Sequence, residues 1–192
     1  LNTITPSNLA KKWAIEWDRD PRLIELVFQK SKRISKMQNG VLLTETEHGF
    51  YCINAGIDLS NVSGDNMATY LPIDSDKSAF NIRNSIKKSL GIDTAIIVTD
   101  TWGRPWRFGV TNVAIGLSGM SPFRDYRGLS DANGMDLKAS VIAVVDELAA
   151  ASELVMNKLD NIPVCLVKGY KFVPDEGSIN DLIRPPEQDL FR

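Results

Sequence analysis

Histidine is almost missing from this chain: His48 is the one copy in 192 residues. A Ser-His-Asp or Cys-His catalytic arrangement would have to be built on it, and a lone histidine beside a glycine turn is more often a surface turn residue than a base. Cysteine is nearly as scarce. Cys52 and Cys165 stand alone in apolar stretches, FYCINAG and PVCLVKG. Two isolated cysteines and one histidine do not make a zinc site, and small buried thiols of this kind suit a reduced cytoplasm better than a disulfide. No apolar run is long enough to span a bilayer, and the N-terminus lacks the pattern of a signal peptide, so the expected location is cytoplasmic with no membrane partner. A surplus of positive charge is also lacking. With 22 basic against 24 acidic side chains the net charge is -2, which disfavours a nucleic-acid partner. Neither the Gly-rich phosphate loop ending in Lys-Ser/Thr nor the G-x-G-x-x-G fingerprint is present, so any bound phosphate must be held by other means.

What is present reads as an ordinary globular chain, 43% hydrophobic and long enough for one good core or two small lobes sharing a sheet. Ser7 and the pair Asp20-Pro21 are helix-start signals, for helices over residues 8–16 and from 21 onward, the second with Leu23, Ile24, Val27 and Phe28 on one face. Asn39-Gly40 predicts a hairpin between strands at 34–37 and 41–45, followed by a third strand at 50–54. The stretch AGIDLSNVSGDN has no hydrophobic period and reads as a loop that carries side chains. A short strand at 68–71 precedes a helix capped by Asp74-Ser75-Asp76, running from Lys77 to Leu90 with Ala79, Ile82, Ile86 and Leu90 inward and Gly91 closing it. TAIIVTD (94–100) reads as a strand buried on both faces that ends in Asp100, and TWGRPWRFG as a break after it. Next come a strand at VTNVAIGL, an aperiodic stretch over 121–134, a long helix over 137–156, a last strand over 162–167 and a mobile tail from Pro174.

Oxygen donors collect on the loops: Asp58, Ser60 and Asn61, then Asp74 and Asp76, then Asp100 and Thr101. Hard cations such as Mg²⁺ or Mn²⁺ take such ligands and keep positions for phosphate. Nearby, Arg104 and Arg107 flank Pro105-Trp106, and two guanidinium forks on a stiff turn could clamp phosphate or carboxylate oxygens, which makes them the candidate catalytic pair. A structural reading stands beside each. Loop aspartates are often caps, and capping outweighs metal binding for Asp74 and Asp76; Trp102 and Trp106 could plug a core, and Arg104 could pair with an acid. Asp100 is harder to dismiss, because a carboxylate at the end of an apolar strand needs a cation, an arginine or backbone donors. On these grounds alone, metal-dependent phosphate chemistry and plain structure are both open.

Read together and in order, NAGIDLSN (54–61), LPIDSDKSA (71–79), TDTWGRPWRFG (99–109), VAIG (113–116), DYRGLSDANGM (125–135) and DELAAASELVMNK (146–158) resemble the coenzyme F420-0:L-glutamate ligase family. The likeness runs from Pro6 to Gly169. It implies an α+β fold of mixed sheets with packed helices in two interlocked lobes, a ligase-like domain over 1–173 followed by a tail over 174–192, and a homodimer. It also implies GTP, a divalent cation (Mg²⁺ or Mn²⁺) and K⁺. The reaction would be an amide bond between the phospholactyl carboxylate of coenzyme F420-0 and L-glutamate, with further γ-linked glutamates in some members. By resemblance, Asp58 and Asp100 ligate a divalent ion, Thr101 helps hold a second, and Asn61 touches the nucleotide. Asn157 and Lys158 lie in the stretch that runs along the GTP.

The chemistry suits these residues. A carboxylate does not react with an amine in water, so a γ-phosphoryl group must first activate it, and the enzyme mainly positions and neutralises two anions. No histidine is required. The resemblance also implies a first strand and a Lys-Ile-Val-Ser-Lys-like segment against the GTP phosphates, which nothing before Thr5 matches. The expectation is therefore a fragment of a longer reading frame or a member with impaired catalysis, without the flavin-reductase-like domain fused to some members. Two alternatives belong to other classes: a non-catalytic deazaflavin-binding or dimerisation module, and another divalent-metal enzyme acting on phosphate esters.

Overall fold

In the computed structural model, which describes residues 1–189, helices and small antiparallel sheets alternate along the chain in an α+β arrangement. The chain divides into two compact units, Leu1–Pro72 and Ile73–Arg192.

The first unit opens with α1 (Asn8–Trp17) and α2 (Pro21–Lys30). The Ser7 hydroxyl accepts the Ala10 N–H, and the Asp20 carboxylate accepts the Arg22 N–H ahead of Pro21, so both helices start where orphan amides find side-chain oxygens. Ala10, Ala14 and Ile24 are buried between them under Trp13, Trp17 and Phe28. Three antiparallel strands follow in the order β1-β2-β3 (Ser31–Gln38, Val41–Thr46, Tyr51–Ile53). Asn39 and Gly40 both take positive φ, 51° and 75°, the backbone that a two-residue hairpin turn demands. Val27, Leu42 and Ala55 join helix to sheet. His48 is no free turn residue. Its Nε2 lies 2.8 Å from the Pro72 carbonyl and its ring stacks on Phe50. The region 68–71 forms a single bridge, Asp58 to Thr69, rather than a strand.

The second unit is built on one long hairpin, β4 (Ile96–Arg104) and β5 (Arg107–Ser118), with α3 (Ser75–Leu90) and α4 (Val144–Met156) packed on β5. Asp74 caps α3 through the Lys77 N–H, and Gly91 ends it at φ 71°, as expected. Of the inward stripe, Ala79 is buried, whereas Ile82 and Leu90 are exposed. Helix α3 comes so close to β5 that a Cβ on Gly116 would stand 2.5 Å from the Ser75 carbonyl carbon and oxygen. Only glycine fits there.

Several sequence expectations change here. The TWGRPWRFG segment continues the strand instead of breaking it: Arg104 pairs with Arg107 around Pro105 and Trp106. Trp106 has φ 59°, at the turn position that ordinarily takes glycine after a leading proline. Asp100 consequently lies inside an antiparallel arm and not at the end of a doubly buried strand. The long helix begins at Val144, because residues before it are used by the short pair β6 (Arg124–Asp125) and β7 (Val141–Ile142). Between these strands, Asp131 accepts the N–H groups of Asn133 and Met135. No strand forms over 162–167, where Val164 and Leu166 are exposed. Of the segment after Pro174, expected as a mobile end, residues 178–182 are tied down, and 190–192 lie outside the described residues. Ser178 caps a 3-10 turn at Ile179–Leu182, Ile179 is buried, and both are held by Asp76.

Candidate functional site

Strand β5 exposes one edge to the helices rather than to another strand, and three carboxylates occupy it. Glu153 of α4 accepts the Asn112 N–H at 2.8 Å, Asp146 accepts the Ala114 N–H at 2.9 Å, and Asp76 of α3 accepts the Leu117 N–H at 2.8 Å. Outward amides recur at every second residue of a strand; the irregularity opposite Val98/Thr99 shifts the third to 117. Asp76 also accepts the Ser178 hydroxyl at 2.7 Å. Its role is thus a clamp, as the capping reading favoured, and Asp74 serves as the cap.

At the Asn112 end this edge opens into a polar cluster. Thr101 and Asn112 are cross-strand partners on β4 and β5, and the Thr101 hydroxyl donates to Asn112 Oδ1 at 2.8 Å. The Lys158 ammonium donates to Thr101 Oγ1 and lies 3.0 Å from Glu153 Oε1. Asn157 ends α4, and its side-chain amide donates to Asp160 Oδ2 at 2.8 Å. Asp100 accepts the Thr101 N–H at 2.7 Å. Neighbours on a strand face opposite sides, so Asp100 and Thr101 suit two separate groups of oxygen ligands better than one.

The sequence-derived candidates fall into three sets. Thr101 and Lys158 meet in the cluster, with Asp100 and Asn157 directly adjoining. Arg104 and Arg107 stand at the hairpin tip, where Arg104 donates to the Phe108 carbonyl at 3.2 Å; four strand residues separate Arg104 from Asp100, roughly 13 Å. Asp58 and Asn61 belong to the first unit, on an exposed turn where Asp58 accepts the Ser60 N–H at 2.8 Å and the Ser60 hydroxyl at 2.5 Å, and Asn61 has φ 54°. Among the described residues no group of three or more His, Cys, Asp or Glu side chains is close enough to hold a metal ion. The second-unit donors are instead mixed: a carboxylate and a hydroxyl meet one ammonium, with an amide oxygen bonded to the hydroxyl behind them, a set whose chemistry fits a hard cation. Sequence reasoning missed Glu153 and Asn112. Pairing the two arms about Pro105-Trp106 would have put Asn112 opposite Thr101, and Glu153 lies in the same quoted motif as Lys158.

Burial shifts one acid beside this cluster: Asp146, against β5, has its carboxyl raised above the usual range, only partly offset by the Ala114 N–H. Farther out, Asp125 is lowered to about 2 by the Arg127 guanidinium that grips it, so the DYRG arginine is already committed to a partner.

The hairpin and its flanking helices define an α+β protein whose polar cluster gathers oxygen donors and one ammonium at a strand edge. A family profile described as F420-0:Gamma-glutamyl ligase matches residues 1–169. Relatives named "Coenzyme F420:L-glutamate ligase" include one from Methanothermobacter thermautotrophicus, 41% identical over 195 residues, covering 100% of this chain and 77% of the relative. Those from Methanocaldococcus jannaschii and Methanopyrus kandleri are each 38% identical, covering 98% and 100% of this chain and 76% and 78% of the relatives. The chain belongs to the F420-0:gamma-glutamyl ligase family, and is a ligase of that kind. No helix among the described residues is long and apolar enough to cross a membrane.

Proposed function

We propose that this protein joins L-glutamate to coenzyme F420-0 at the expense of GTP, through an acyl phosphate, in the cytoplasm. The observation that carries the reading is the cluster of Thr101, Asn112, Glu153 and Lys158, three of whose members, Thr101, Glu153 and Lys158, lie inside two family motifs, and which holds an ammonium between a hydroxyl and a carboxylate oxygen. A carboxylate oxygen of F420-0 attacks the γ-phosphorus and GDP leaves; the glutamate α-amine then attacks the acyl carbon and inorganic phosphate departs. In the second unit Thr101, Asp100 and Glu153 are the proposed ligands of divalent cations (Mg²⁺ or Mn²⁺), in the first unit Asp58 is the proposed carboxylate ligand, and K⁺ is a further cation. Such ions, when bound, offset charge on the phosphates and on the carboxylate being activated. Lys158, Asn157 and Asn61 are assigned to the nucleotide, and Arg104 and Arg107 to the anionic substrate. Trp106 and Phe108 are almost fully exposed at the hairpin tip, which supports a homodimer in which a second copy covers them.

Incubation with F420-0, glutamate, GTP and Mn²⁺ tests the reading: the product should gain the mass of one glutamate residue or more. Asp100→Asn keeps shape but removes the charge, and turnover should fall by roughly 10²–10³-fold with the far-UV spectrum unchanged. Undiminished turnover in that variant would remove Asp100 from the site; no mass gain with the unaltered chain would remove the function.

A further inference from the structure

Lys158 reaches Glu153 by an unusual route. Five residues apart, the two would not share a face if α4 ran on, since helical neighbours lie three and four apart. The helix stops at Met156, and Asn157 turns the chain at φ 51°, ψ -174°, a backbone region that non-glycine residues enter only under strain. That turn lays the Lys158 ammonium on Thr101 Oγ1 and 3.0 Å from Glu153 Oε1. Both acceptors are fixed from behind, Thr101 by Asn112 Oδ1 at 2.8 Å and Glu153 by the Asn112 N–H at 2.8 Å. The Lys158 side chain is half exposed, so solvent and a ligand can reach it.

We infer that Lys158 is a built-in counter-ion: without nucleotide it occupies the cation position between Thr101 and Glu153, and it vacates that position when a nucleotide's phosphates draw it away. This rests on the proposed metal and nucleotide roles and adds an order of events. A divalent cation must displace a like charge before nucleotide arrives but not afterwards, so nucleotide binding and cation binding are coupled through one side chain. The strained turn at Asn157 is what presents the lysine to both partners.

Free Mn²⁺ measured by electron paramagnetic resonance, with the full chain and no nucleotide, tests this directly. Lys158→Met should bind Mn²⁺ about five-fold more tightly than the unaltered protein, a size set by the loss of one partly solvated like charge. GTP should tighten Mn²⁺ binding to the unaltered protein by a larger factor than to the variant. Glu153→Gln should weaken binding in both backgrounds, which checks that the ion sits in this cluster. Nucleotide-free affinities within about two-fold of each other, including no measurable binding by either protein, or a weaker variant, overturn the counter-ion role. The ligase reading is tested separately, by the mass gained in the incubation with F420-0, glutamate, GTP and Mn²⁺, and it falls if the unaltered chain adds no glutamate there.

Discussion

Replacing Gly116 by alanine offers a severe test of how the second unit is held together. The added methyl would meet the Ser75 carbonyl carbon and oxygen at 2.5 Å and the Ser75 Cβ at 2.6 Å. Ordinary carbon contacts begin near 3.5 Å, so about 1 Å must be found by moving the first turn of α3 away from β5. Backbone stands on both sides of the clash, so no rotamer change relieves it. Overpacking of this kind costs typically 1–3 kcal/mol, and the gain from a less flexible unfolded chain returns about 0.5 kcal/mol. The same movement stretches the Leu117 N–H to Asp76 contact, one residue away, which adds about 1 kcal/mol. A net loss of about 2–3 kcal/mol should lower the thermal midpoint of the second unit by on the order of 5–10 °C. Two other glycines separate the causes. Gly103 has open space and no positive φ, while Gly91 has open space at φ 71°; alanine should be near neutral at the first and cost about 1 kcal/mol at the second. Urea titrations of the three variants give the ranking. Should Gly116→Ala prove no worse than Gly103→Ala, the close approach of α3 to β5 is wrong.

Asp76→Ala removes an acceptor shared by Leu117, Ser178 and Ile179; it should cost about 2–3 kcal/mol and speed protease cleavage near 174–182 well before global unfolding. Asp146→Asn addresses pH. A carboxyl raised by burial binds its proton more tightly folded than unfolded, so its contribution favours folding below the unfolded value and is lost as pH rises through the folded one. In chemical denaturation from pH 3 upward, the stability of the unaltered protein relative to the asparagine variant should therefore fall. Identical pH profiles would contradict the assignment.

Much of the first unit was legible because its signals are local. Ser7, Asp20-Pro21 and Asn39-Gly40 each act on backbone within a few residues, and each does so in the structure. The same holds for Asp74 and Gly91 around α3. Pairing between distant segments was not local and was misread. Pro105 suggested a break, but proline is the preferred first residue of a tight turn, and the hairpin it closes carries Asp100, Thr101 and Asn112. The start of α4 was placed seven residues early because apolar residues at 137–143 satisfy a helix pattern and a strand pattern alike. Glu153 was invisible for a related reason: the strand amide it accepts, that of Asn112, is more than forty residues away in the chain.

The three carboxylates along β5 also explain why a polar cluster can persist on this hairpin. An edge strand with unpaired amides invites pairing with another chain, and proteins block such edges with inward charges. Here Asp76, Asp146 and Glu153 take the amides of Leu117, Ala114 and Asn112, and each carries a different load. Asp76 spends both oxygens on the protein itself, and Asp146 is held in a desolvated position against the strand. Glu153 alone uses one oxygen on the edge and turns the other to the Lys158 ammonium. The protein thus reaches its cation position by leaving one member of a structural series half committed. If so, Glu153→Gln and Asp146→Asn should part company, because an amide oxygen can still accept the strand N–H in both. Stability should be little changed in either at neutral pH, within about 1 kcal/mol, whereas Mn²⁺ affinity should drop only for Glu153→Gln. Loss of Mn²⁺ affinity on Asp146→Asn would mean that the edge acts as one electrostatic unit and that no single carboxylate is set apart.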